Sequence, residues 1–242
     1  MSRNIYKADL HTHTVASGHA TGTIEEMADA AKKAGLEIYG ITDHAVTMPG
    51  TCSMEYFEDM VENKKQFEGI DVLYGVELNI IDYDGTVDMD NSILKKMDVV
   101  IASIHAGIGY EPGYIDENTA AVIGAIRNPY INIIGHPDDG NIPLNYSAVI
   151  EEAINNNTII EINNNSLTPG CWRGNTRENI RRILELCKKN DYPVLIDSDA
   201  HCVENVGRHV ESVRFLKENE FPRELILNYY PERLKKFLNK YK

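Results

Sequence analysis

Seven of the eight histidines in this 242-residue chain stand where a run of β-forming residues gives out. His11 and His13 follow the first such run in Asp9-Leu10-His11-Thr12-His13, and His19 lies in the loop beyond them. His44 ends the second run, His105 follows the fourth, His136 the fifth and His201 the seventh. Glu77, after the third run, and Asp199, two residues before His201, reach the same topological position. Neutral imidazole is a transition-metal ligand, and a carboxylate can bridge two cations with its two oxygens. Side chains two apart in an extended segment point the same way, so His11 and His13 can reach one ion. Nine such ligands are too many for one tetrahedral ion and suit a cluster of two or three. Divalent cations would also relieve the repulsion in a pocket crowded with carboxylates. Outside this pattern, His209 falls in a helix-period segment and reads as a surface or packing residue. Cys202, beside His201, reads as a small buried thiol.

The elements that must position these groups alternate along nearly the whole chain. Strands are expected near Ile5–Leu10, Ile38–Thr42, Val72–Val76, Val99–Ile104, Ile131–Ile134, Thr158–Ile162 and Pro193–Ile196. Most are continuous apolar runs, as expected of parallel strands covered on both faces. Thr23-Ile24-Glu25-Glu26 is a capping box opening a helix that buries Met27, Ala28 and Ala31 and stops at Gly35. Ser53 can cap a helix burying Phe57, Met60 and Val61. Ser147–Asn155 is a further helix, and Asn175-Thr176-Arg177-Glu178 opens another with Ile180, Ile183, Leu184 and Cys187 inward. Val206, Val210, Val213 and Leu216 fit a helical stripe, and Pro231 begins a closing helix carrying Leu234, Phe237 and Leu238. Seven strand–helix units without a linker rich in Pro, Gly or Ser predict one α/β domain over residues 1–242, a slightly irregular barrel. Strands of such a barrel deliver their C-terminal ends to one rim, where active sites form.

Composition is ordinary for a globular protein, with 43% apolar and 25% charged residues, and excludes disordered, collagen-like and coiled-coil chains. No apolar stretch has the roughly 18 residues of a membrane span, and Met1–Lys7 has no apolar signal core. The four cysteines form no CxxC pair, so the chain is expected to be reduced and cytoplasmic. Net charge of −13 disfavours long nucleic acid, whose phosphates it repels. A small anionic substrate fits if metal ions supply the local positive charge.

Asp9-Leu10-His11-Thr12-His13, Thr42-Asp43-His44, Glu77, His105, His136 and Ser198-Asp199-Ala200-His201 together resemble the signature of the PHP (polymerase and histidinol phosphatase) superfamily. Their order looks most like its stand-alone YcdX-type phosphatase branch. The resemblance runs from about Tyr6 to His201 and includes the closing segment through Leu238. It implies a distorted (βα)7 TIM-like barrel with three divalent metal ions, commonly Zn2+, with Mn2+ or Fe2+ in some members. Carried over by position, His11, His13, Glu77 and Asp199 would hold the first ion. Glu77, His105 and His136 would hold the second, and His19, His44 and His201 the third. It further implies a trimer, about which composition says nothing.

The expected reaction is hydrolysis of a small phosphomonoester. Two cations roughly 3.5–4 Å apart can share a hydroxide formed near neutral pH, which attacks phosphorus in line while the ions neutralise the phosphoryl oxygens. Glu77, Asp199 and His201 are the candidates for direct participation. The long loop after the sixth strand, through Asn164 and Arg173, is the candidate substrate-binding segment. Arg173 is the expected phosphate contact there, and Trp172 could line the pocket or pack beneath the loop. Asp9 and Asp43 are candidates to orient imidazoles. The nearest alternative is a nuclease or phosphodiesterase on short oligonucleotides or small nucleotides. An amidohydrolase-type C–N hydrolase is disfavoured because the bridging position falls to Glu77 and no lysine stands at a strand end. A non-catalytic metal-binding protein is disfavoured because shared ligands with vacant positions are unlike closed structural sites.

Overall fold

A computed structural model of the protein describes residues 6–241. Among them run β1 (Ala8–Asp9), β2 (Ile38–Ile41), β3 (Asp71–Asn79), β4 (Val99–Ser103), β5 (Ile133–Ile134), β6 (Ile159–Asn163) and β7 (Val194–Asp197). They pair in chain order, every pair parallel, into a nearly closed barrel. The strands match the expected positions with shifted ends. Ile5 lies outside the described residues, and the ladder of β1 is only two residues long. β3 runs past Val76, so Glu77 is part of the strand rather than the loop after it.

Alternation along the strands sorts the side chains into two cores. Residues pointing outward, among them Tyr39, Ile41, Tyr74, Val76, Val100 and Ile160, pack against the helices. Inward ones form a separate apolar floor of Ala8, Leu10, Ile38, Leu73, Val99, Ile133, Ile159 and Leu195. Because side chains alternate with period two, each inward row climbs from this floor to polar groups. The rows read Leu73, Gly75, Glu77, Asn79 on β3, Val99, Ile101, Ser103, His105 from β4, and Ile159, Glu161, Asn163 on β6. Gly75 must be glycine, because a Cβ there would stand 2.0 Å from the Val99 carbonyl oxygen.

The helices are α1 (Ile24–Ala34), α2 (Met54–Glu62), α3 (Asn91–Leu94), α4 (Ile115–Ile126), α5 (Tyr146–Asn156), α6 (Thr176–Lys189), α7 (Val210–Glu218) and α8 (Pro231–Leu234). The Thr23–Glu26 capping box and the left-handed Gly35 stop bound α1 as expected. Ser53 stands at the start of α2, but its hydroxyl makes no capping bond. Two segments depart from expectation. Val206 lies before α7, and Val210 is exposed, because α7 begins at Val210; it buries Leu216 as expected, with Ser212 and Phe215 beside it. The closing segment is a single α-turn followed by 3-10 turns, and it drops Leu234 and Leu238 into the barrel floor.

The seam between β1 and β7 is held largely by side chains. Leu10 N donates to Asp197 Oδ1 at 2.6 Å, and His13 N donates to the Ala200 carbonyl at 2.8 Å. Below them the fully buried Asn228 acts as a strand surrogate. Its Nδ2 donates to the carbonyls of Ala8 (2.9 Å) and Ile196 (2.6 Å), while its Oδ1 accepts from Ile196 N at 2.8 Å. An unpaired buried backbone group costs about 1–3 kcal/mol. Asn228→Leu should therefore lower the unfolding free energy by about 3–5 kcal/mol in urea titration, summed over the groups it strands; a loss under about 1 kcal/mol would show that the seam closes without it.

Candidate metal centre

Glu77 sits at the centre of the rim with no exposed surface. Five imidazoles face its carboxylate. His136 Nε2 is 3.0 Å, His11 Nε2 3.3 Å and His105 Nε2 3.4 Å from Oε1. His44 Nδ1 is 2.7 Å and His13 Nε2 3.6 Å from Oε2. Asp199 Oδ1 stands on the other side, 3.4 Å from His13 Nε2 and 3.8 Å from His11 Nε2. His201 and His19 complete the cluster at its outer edge, their Nε2 atoms 3.1 Å apart. The structure thus brings all nine residues of the expected ligand set together, from deeply buried His11 and His13 to exposed His19.

Whether this donor set fits metal ions is answered by atoms without partners. His11 Nε2, His13 Nε2, His44 Nδ1 and Glu77 Oε2 are buried and have no hydrogen bond, although His44 Nδ1 and Glu77 Oε2 lie close together. Leaving such groups unpaired is costly, and converging ligand atoms regain that loss on a cation. Three groups place their ligand atoms within 4.8 Å of one another: His11, His13 and Glu77; His44, Glu77 and His105; and His13, His44 and His201. The set fits divalent ions.

Charge in the site is arranged for the same purpose. Burial would raise Glu77, but His11, His44 and His105 hold its carboxyl well below the usual range. Asp199 is likewise held low against burial by His11, His13 and Arg173. Burial, helped by His44, keeps His13 neutral, and burial with the Arg173 charge pushes His136 down to about 4. His11 differs: burial opposes its proton, yet Glu77, Glu161 and Asp199 raise its pKa well above the ordinary imidazole value.

The groups that orient the imidazoles are mostly ones the sequence analysis did not single out. Glu161 Oε1 pairs with His11 Nδ1 at 2.7 Å, and its Oε2 accepts from His136 N at 2.5 Å. Asn79 Oδ1 holds His105 Nδ1 at 2.8 Å, and Ser103 Oγ donates to Glu77 Oε1 at 2.7 Å. Their signal was present: each is a polar residue on the inward register of an otherwise apolar strand. Asp43 acts one step removed, accepting from Ser17 Oγ, which in turn contacts His13 Nδ1 at 3.1 Å. Asp9 reaches no ligand imidazole; it accepts from Ser198 N, Ser198 Oγ and Gly207 N. Those bonds pin the turn in which Asp199 adopts a left-handed φ of 54°, a conformation that costs about 1–3 kcal/mol in a non-glycine residue. His209 is a buried packing residue, set before α7 rather than within it, against Tyr6 and Asp9. Cys202 is only half-buried.

A cavity of about 390 Å³ opens over the cluster, walled by Met48, Ala106, Ile108, Asn165, Trp172 and Arg173 in addition to ligand residues. Arg173 donates to Ser166 Oγ at 3.0 Å and to Asp199 Oδ2 at 3.2 Å. Asn164, expected at the substrate, instead faces α7: its Oδ1 accepts from Glu211 N and Ser212 N, and the neighbouring Asn165 lines the cavity. A larger trough of about 770 Å³ lies elsewhere, lined by residues such as Asp84, Asp88 and Arg127, and includes no histidine or cysteine.

Residues 9–165 match the family model described as the PHP domain. The chain belongs to the PHP-domain family. It is similar to proteins named "probable phosphatase" over nearly all its length. One from Caldicellulosiruptor saccharolyticus is 43% identical, covering 96% of this chain and 95% of the relative. Another from Clostridium botulinum is 38% identical, covering 96% and 94%. Among solved structures, a histidinol phosphate phosphatase from Lactococcus lactis, complexed with zinc, L-histidinol and phosphate, superposes with a TM-score of 0.61. It is 16% identical, covering 90% of this chain and 95% of that one, so it supports the shared fold. A histidinol phosphatase homologue from Listeria monocytogenes gives 0.59 at 19% identity, covering 85% and 99%. With relatives of that kind along its length, this PHP-domain protein is an enzyme of the phosphatase type, a phosphoric ester hydrolase.

Two measurements test the site. Glu161→Gln removes the charge behind His11, and loss of such a group typically costs about 10–100-fold in metal affinity; competition with a zinc buffer should read a drop of that size, and unchanged affinity would count against the role. Because His11 carries a raised pKa, the ion must displace its proton. Zinc titration of chelator-stripped protein at pH 7, by calorimetry in buffers of different ionisation enthalpy, should show net release of about one proton or more, with affinity falling as pH is lowered.

Proposed function

We propose that this PHP-domain enzyme is a metal-dependent phosphatase acting on a small phosphomonoester at a centre of three divalent ions, Zn2+ foremost, with Mn2+ or Fe2+ as alternatives. The observation that carries the reading is the convergence of unpartnered ring nitrogens of His11, His13 and His44 on the buried Glu77 carboxylate beneath an open cavity. His11, His13, Glu77 and Asp199 would hold the first ion, Glu77, His105 and His136 the second, and His19, His44 and His201 the third. Bound there, divalent ions would acidify a water toward neutral pH and supply positive charge for the phosphoryl oxygens.

The remaining work falls to the chain's own residues. Glu77 and Asp199 stay ionised because the surrounding positive charges outweigh burial, which is the form a ligand needs. His13 and His136 stay neutral, their lone pairs free for coordination. Arg173 places a permanent positive charge on the cavity wall, its side chain only 8% exposed and held by Asp199, where it would pair with a phosphoryl oxygen.

The cytoplasm is the compartment we infer, since all four cysteines are unpaired. Among the described residues no helix is long and apolar enough to cross a membrane. We take residues 1–242 as one PHP-type unit, and a trimeric assembly, which rests on resemblance alone, would be read by light scattering.

Chelation should abolish release of inorganic phosphate from a panel of phosphomonoesters, and adding back zinc or manganese should restore it. Full turnover in metal-stripped protein would refute the reading, and release of nucleotides in preference to terminal phosphate would favour the nuclease alternative. Arg173→Ala should raise KM by about 10-fold or more, the loss of one charge-assisted hydrogen bond; unchanged kinetics would remove Arg173 from substrate binding.

A further inference from the structure

The wall of the cavity above the ligands has a composition that the metal centre does not explain. Met48, Ala106, Ile108 and Trp172 make it largely apolar, with Asn165 and Arg173 as its other groups outside the ligand set. Arg173 is its one permanent cation, held by Asp199 and Ser166 and assigned above to the phosphate. The acids on the wall, Glu77 and Asp199, face imidazoles. A second anionic group on the substrate would therefore find no free partner there, and neither would an ammonium group. A substituent seated on this wall is therefore best matched when it is uncharged.

Trp172 supplies the shape. Its side chain sits on this wall with 65% of the residue exposed, the largest aromatic surface the cavity offers. The loop that carries it is tied down on both sides: Cys171 N donates to the Thr168 carbonyl at 3.1 Å, Gly140 N to the Gly174 carbonyl at 2.6 Å, and Asn141 Nδ2 to the Trp172 carbonyl at 3.4 Å. The Arg173 guanidinium lies 5.7 Å from the indole centre, within cation–π range. With the backbone that carries the indole already fixed, little loop ordering is needed to use it, and flat rings prefer offset-stacked or edge contacts with it.

We propose that Trp172 is a stacking platform for the leaving group, and that the substrate is a phosphomonoester whose alcohol carries a flat, uncharged ring. The inference rests on the phosphatase reading for the reaction, but binding at the platform can be read without turnover. Trp172 is the chain's single tryptophan, so its fluorescence reports the site directly. Metal-loaded protein titrated with phenylphosphonate should show a saturable change in Trp172 emission, and methylphosphonate at the same concentrations should not; equal responses, or none, would overturn the platform.

Kinetics supply the second arm. In Trp172→Ala, the preference in kcat/KM for phenyl phosphate over glycerol 3-phosphate should fall by about 3–10-fold, the worth of one aromatic contact, with the change in KM, and Trp172→Phe should recover most of it. An unaltered preference would contradict the proposal. If neither ester is hydrolysed while phenylphosphonate still shifts the emission, the reaction assigned above fails and the platform stands.

Discussion

A carboxylate with no access to solvent, ringed by five imidazoles, sets the terms for the rest of this structure. Glu77 is ionised only because positive charge surrounds it, and three of the imidazoles that face it, His11, His13 and His44, keep unpaired ring nitrogens in the interior. Neither condition is comfortable for a protein without cations, since buried charge and unsatisfied polar atoms both oppose folding. Divalent ions resolve the two together. The site is best understood as a cavity whose electrostatics are completed from outside the chain.

The barrel makes that concentration of polar groups tolerable by separating it from the apolar floor by a few residues of strand. One step of the pleat takes Ile159 to Glu161 and Leu195 to Asp197, and the next reaches Asn163 and Asp199. The polar layer is then wired together. Glu161 spans His11 and the His136 backbone, Asn163 donates to both Glu161 and Asp199, and Asp9 fastens the turn that presents Asp199. Such a network fixes ring orientation in advance, so binding an ion requires little rearrangement.

Much of this was legible in the sequence, for a definable reason. Parallel strands put their carboxyl ends on one rim, so a histidine after each apolar run already implies convergence in space. In the structure His11, His44, His105, His136 and His201 do lie together on that rim, with Glu77 among them. Periodicity carries no signal where a side chain replaces the usual backbone pattern. Asn228, which substitutes for a strand at the seam, sits in a stretch of 3-10 turns and has no periodic signal. Asn164 was read by its place in a functional loop, yet its amide oxygen is spent on capping α7. Trp172 could not be placed from sequence because loop conformation, not periodicity, decides which way it faces. Glu161 could have been found: a lone acid within Ile159-Ile160-Glu161-Ile162 has to be paired if it points into the barrel.

The most direct test of the central claim is anomalous X-ray diffraction from protein purified with its native metals, recorded across the metal absorption edges. Separate peaks beside Glu77 are expected, each about 2.0–2.2 Å from its histidine nitrogens and carboxylate oxygens, with His11, His13, His44, His105 and His136 all ligated. An anomalous map without peaks at that rim, the imidazoles paired to water or to one another, would contradict the account.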